Sequence, residues 1–173
     1  MKIRNVVGEE FSKARGFYHA LIEGMEDAEF EIGWKKDIYP SIEFLKDSIA
    51  RGELYAGWEE EKMIAAMVLN HQYNDGYEQF QWPTEAAKEE VSVIHALGVH
   101  PGFSGKGYAR QMVNFAVETA RKRGQKVLRL DVLKGNVPAE KLYTGLGFRY
   151  LHTLEMYYED TGWTDYELYE LVL

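Results

Sequence analysis

The most constraining feature of this chain is an apolar stretch, Val91 to Val99, which passes through His100, Pro101 and a glycine-rich turn into an amphipathic helix. Val91, Val93, His95, Leu97 and Val99 alternate with Ser92, Ile94, Ala96 and Gly98, so both faces of the stretch are largely apolar, as in a strand buried inside a sheet. After the turn, Ala109, Met112, Val113, Ala116, Val117 and Ala120 recur with helical periodicity, and Gly124 ends the run. Glycines between a strand and a helix let successive backbone N–H groups converge in front of the helix N-terminus, where the helix dipole also favours negative charge. A phosphate or diphosphate suits such a place.

Three kinds of ligand use this device, and the flanking residues separate them. A nucleoside-triphosphate loop needs Ser or Thr after its lysine, but Lys106 is followed by Gly107. A dinucleotide turn needs a third glycine where Gly105, Lys106 and Gly107 continue as Tyr108, Ala109 and Arg110, and it ordinarily follows the first strand of its domain.

The rest of the chain reads as one domain over residues 1–173, with no linker or repeat. A strand is expected at Lys2 to Val7, helices at Glu9 to Glu23 and Ser41 to Ala50, and a hairpin of Glu53 to Trp58 with Met63 to Asn70. His71 to Glu90 reads as an inserted loop rich in aromatic and polar residues. Val127 to Leu133 alternates Leu128, Leu130 and Val132 against Arg129 and Asp131. A short helix follows Asn136, with Pro138 tolerated in its first turn, and strands at Phe148 to Tyr158 and Thr164 to Leu173 complete the chain.

Ser104, Gly105, Lys106, Gly107, Tyr108 and Ala109 resemble the Q/R-x-x-G-x-G/A motif of the GNAT acyltransferases. Asn136, Ala139, Leu142, Tyr143, Gly147 and Phe148 resemble that family's second signature, NxxAxxLYxxxGF. The similarity covers Val91 to about Tyr150, and Ser104 departs from it by replacing the usual Gln or Arg. The resemblance implies an α+β fold, with a central mixed, strongly bent sheet of about seven strands flanked by helices. It also implies that acetyl-CoA is held by Leu97, Val99, Ser104, Gly105, Lys106, Gly107, Tyr108, Ala109, Arg110 and Asn136. The coenzyme's arm would enter a V-shaped opening between the fourth and fifth strands, with Gly98 marking a bulge or a close backbone approach.

Amine acylation needs a proton for the leaving thiolate and a neutral nucleophile. Tyr143 matches the tyrosine that protonates the sulfur in the family. His95, on the strand face that carries Leu97 and Val99, is a candidate base, with Glu90 as its rival. Trp34, Tyr39, Tyr77 and Trp82 are candidate walls for a cationic acceptor, or for a homodimer interface. With no cysteine in the chain, a thiol-bound acyl intermediate has no residue to carry it, and direct transfer within a ternary complex is expected.

A net charge of −8 disfavours nucleic acid as a partner. Six basic residues between His100 and Lys126, against Glu118 alone, suit an anionic ligand at the glycine turn. The expectation is a cytoplasmic N-acetyltransferase acting on a primary amine of a small molecule or peptide, with no metal and no membrane association. The alternative is a non-catalytic acyl-CoA-binding sensor, which would keep the glycine cradle without needing Tyr143.

Overall fold

Seven strands and four helices follow one another along the chain, and the computed structural model describes all 173 residues. In order they are β1 (Lys2–Asn5), α1 (Phe11–Glu23), α2 (Ile42–Ala50), β2 (Leu54–Glu59), β3 (Lys62–Asn70), β4 (Val91–Val99), α3 (Tyr108–Lys122), β5 (Val127–Leu133), α4 (Val137–Thr144), β6 (Arg149–Tyr158) and β7 (Gly162–Val172). They form one sheet in the order β1-β2-β3-β4-β5-β7-β6. All neighbours are antiparallel except β4 and β5. The parallel pair meets only where Val91, Ser92 and Val93 face Val127, Leu128 and Arg129. Beyond those residues the two strands part, and the sheet opens into the expected V.

The two sides of the sheet carry separate cores. Leu69, Ile94, Leu128 and Leu130 pack with Met112, Val113 and Ala116 of α3 and Tyr143 of α4. On the other side Ala56, Ala66, Val68 and Ala96 pack with Phe17, Tyr18 and Leu21 of α1 and Leu45 of α2. Local chemistry sets the helix starts. Ser41 accepts from Phe44 N–H at 3.0 Å, and Asn136 accepts from Ala139 N–H at 3.2 Å. The expected start of the first helix at Glu9 is instead a short 3₁₀ turn, Gly8–Glu10, which leads into α1.

A second departure lies inside β4. Val68 of β3 is opposite His95 but Ala66 is opposite Gly98, so one residue of β4 is extra. The distortion falls at Ala96, whose φ of 49° is left-handed, and Tyr18 Oη donates to the Ala96 carbonyl at 2.8 Å to hold it there. Gly98 is therefore not the bulge. It is a close approach, because a Cβ there would lie 2.5 Å from Leu21 Cδ1. The extra residue also reverses the alternation. His95 lies beside Phe44 of α2, their rings 6.1 Å apart, whereas Leu97 and Val99 pack on the α3 side. The expectation that these three share a face is corrected: period-two reasoning fails across a bulge.

The segment from His71 to Glu90 contains two short 3₁₀ turns, Asp75–Gln79 and Lys88–Glu90. Arg129 of β5, almost fully buried, pairs with Glu170 of β7 at 2.9 Å and donates to the Thr84 carbonyl at 2.7 Å, while Thr84 Oγ1 donates to Glu170 at 2.6 Å. This cluster ties the insertion to the C-terminal half of the sheet. Tyr77 packs there against Met156, Tyr166 and Leu168.

Candidate active site

A cavity of about 400 Å³ occupies the opening between β4 and β5. One end is bounded by Leu97, Val99, Ser104, Ala109, Asn136 and Tyr143. Between this end and solvent stands the turn before α3. Gly105 and Gly107 adopt φ of 75° and 77°, and a Cβ on either would meet only open space. Ser104 N–H bonds to Pro101 and Gln111 N–H to Gly107, but the six amides from Gly105 to Arg110 donate to no backbone carbonyl. No side chain caps α3 either. An uncapped fifteen-residue helix with consecutive free donors and no obstructing Cβ fits a diphosphate.

The charged residues of the turn point away from its amides. Lys106 Nζ lies 5.1 Å from the centre of the Phe103 ring, and Arg110 reaches the Gly145 carbonyl at 3.4 Å. The Tyr108 hydroxyl donates to Glu59. Asn136 lines the cavity while its side chain caps α4.

Tyr143 is 6% exposed. Burial, followed by the charge of Asp131, pushes its phenol well above the ordinary value, so it is a protonated hydroxyl at neutral pH.

The other end of the cavity is framed by Leu21, Trp34, Tyr39, His95, Tyr158 and Tyr166. His95 Nε2 lies 2.8 Å from the Gln72 carbonyl and 3.0 Å from Asn70 Oδ1. A carbonyl can only accept, so Nε2 carries the proton and Nδ1 holds the lone pair. Burial lowers this imidazole to about 4, and it is neutral at pH 7.

Glu90 does not border the cavity. It sits at the paired end of β4, where it binds Lys126 Nζ at 2.9 Å and accepts from Ala87 N–H at 2.9 Å. Of the aromatic residues expected as walls, Trp34 and Tyr39 border the cavity. Tyr77 and Trp82 lie behind it: Trp82 Nε1 donates to the Tyr77 carbonyl, and the Tyr77 hydroxyl donates to Asp131.

Sequence reasoning missed Asp131. Its Oδ2 accepts from Tyr77 Oη at 2.8 Å and from Tyr158 Oη at 2.9 Å, which leaves Oδ1 without a protein donor at the cavity wall. Burial raises the carboxyl above its usual range, and the two tyrosines partly offset that rise. In the sequence Asp131 is only one polar position of an alternating strand, yet β5 lies between β4 and β7 and its other such residue, Arg129, is buried. An acidic residue in a strand so placed was the available signal.

Comparison with known proteins agrees with this geometry. Residues 67 in number, 39% of this chain, are 39% identical to an uncharacterised N-acetyltransferase of Methanocaldococcus jannaschii. The matched stretches span 30% to 61% of the lengths of the curated relatives. A GNAT-family acetyltransferase structure from Streptococcus agalactiae superposes with a TM-score of 0.80 at 16% identity, covering 99% of this chain and 95% of that one. The yncA protein of Salmonella typhimurium, solved with its cofactor acetyl-CoA, gives a TM-score of 0.71 at 17% identity over 100% of this chain and 94% of its own. Residues 13–148 match the sequence profile described as the acetyltransferase (GNAT) family, and this chain belongs to that family.

Proposed function

We propose that this protein transfers an acetyl group from acetyl-CoA to a primary amine by direct attack within a ternary complex. The observation that carries the reading is the run of six unused amides from Gly105 to Arg110, standing before α3 at the mouth of the β4–β5 opening. Those amides would hold the diphosphate, and the unpaired stretches of β4 and β5 would receive the pantetheine arm. When bound, acetyl-CoA supplies an activated acyl carbonyl and a thiolate leaving group.

The protein's own part is to move two protons. A C–N bond forms as the C–S bond breaks, one proton leaves the amine and another reaches the sulfur. Asp131 Oδ1 accepts the first. Burial raises its carboxyl and its Oδ1 has no protein donor, whereas burial has lowered the His95 imidazole to about 4. His95 Nδ1 serves instead as a neutral acceptor that orients the amine. Tyr143 Oη donates the second proton. It borders the same cavity as Asp131 and His95. A buried hydroxyl so placed favours an enzyme over a coenzyme-binding sensor, which has no use for it.

The test is to incubate the protein with acetyl-CoA and a panel of amines while following release of free thiol. Amine-dependent release is expected, and Tyr143→Phe is expected to lower kcat by about 10²-fold. Calorimetry should find acetyl-CoA affinity little changed in that variant. Full activity in Tyr143→Phe, or no heat from coenzyme A with the unaltered protein, would sink the reading.

A further inference from the structure

The acceptor end of the cavity holds more acidic side chains than acetyl transfer uses. Besides Asp131 it is bordered by Asp160, in the turn between β6 and β7. Asp160 is 4% exposed, and its Oδ1 is enclosed without a hydrogen-bond partner. Neither aspartate takes part in any ion pair of the chain. No lysine or arginine borders the cavity. Lys35, exposed on the segment between α1 and α2, acts on Asp160 only through space, opposed by Glu159. Tyr39 and Tyr166 border the same cavity as the two aspartates.

A carboxylate oxygen enclosed without a donor is unfavourable: burial raises the Asp160 carboxyl above its usual range, and either a proton or an arriving cation relieves the cost. A monoamine would answer one of the two carboxylates, and an amino acid would bring a third carboxylate against them. Trp34, Tyr39, Tyr158 and Tyr166 offer apolar faces to a methylene chain and electron-rich faces to an ammonium group.

We propose that the acceptor is a linear diamine, with its reacting amine at Asp131 and its distal ammonium held by the Asp160 carboxylate. The identity of the reacting end rests on the acetyl-transfer reading. The second ammonium site follows from Asp160 itself, and Asp160 is the residue that sets specificity.

Equilibrium calorimetry tests this without turnover. Protein saturated with coenzyme A is titrated with 1,4-diaminobutane, n-butylamine and 4-aminobutanoate, then with linear diamines of other chain lengths. Some diamine of the series should bind at least about tenfold more tightly than butylamine, because a second charge-assisted contact forms, and 4-aminobutanoate should bind weakest. In Asp160→Asn, checked for folding by its melting curve, that preference should fall by about tenfold. Equal affinity for butylamine and every diamine in the unaltered protein overturns the proposal with no variant needed. So does a preference that survives in Asp160→Asn. Acetylation of butylamine with no gain from a second amine would leave the transfer reading intact and defeat the diamine. A diamine preference without thiol release would do the reverse.

Discussion

Glu10 shows how one side chain links the ends of local elements. It receives Arg4 in two contacts, of 2.7 and 2.8 Å, and it also accepts Val7 N–H just before α1. The Arg4 guanidinium, itself 4.3 Å from the centre of the Trp58 ring, is the main reason the Glu10 carboxyl falls to about 2. A depressed carboxyl stabilises the fold at pH values above its unfolded value of 4.5, and that contribution disappears as pH falls toward 2. Glu10→Gln should therefore cost about 1 kcal/mol at neutral pH, given a two-point contact that is partly exposed. Urea denaturation at a series of pH values should show the gap between variant and parent closing as pH drops through that window.

Single residues were unevenly legible in the sequence. Tyr143 could be found because a spaced motif surrounds it. Asp131 and Asp160 could not, since one sits in an apparently alternating strand and the other in what reads as an ordinary polar turn. Their importance comes from strands and loops folded over them from distant parts of the chain.

At the scale of elements, periodicity and turn chemistry located every strand and helix, with ends displaced by a few residues. What they could not reveal was the extra residue at Ala96, because a bulge leaves no mark on composition. Gly98 was recognised as special, and of its two expected roles the close approach holds while the bulge falls at Ala96. Its missing side chain makes room for Leu21, which borders the acceptor end of the cavity. Gly98→Ala should drive Leu21 toward that end and destabilise the fold by about 1 kcal/mol. Kinetics should show the KM for amine rising severalfold, while calorimetry finds the affinity for coenzyme A little changed.

Across the whole molecule, one buried charge pair helps to tie down the insertion from His71 to Glu90. Arg129 and Glu170 are both less than a tenth exposed, and together they bind Thr84. Arg129→Met would leave Glu170 buried without its cation, and a loss of about 3–5 kcal/mol is expected. Adding Glu170→Met should recover part of that loss in chemical denaturation, since the stranded charge is then removed as well. No helix of the protein is long and apolar enough to cross a membrane.

The brief meeting of β4 and β5 has a mechanical consequence. Three facing residue pairs join the first four strands to the last three, so the sheet resembles two boards sharing a short hinge. An extended guest lying along both free edges would complete the carpentry, and the protein would then owe part of its own rigidity to the compound it consumes.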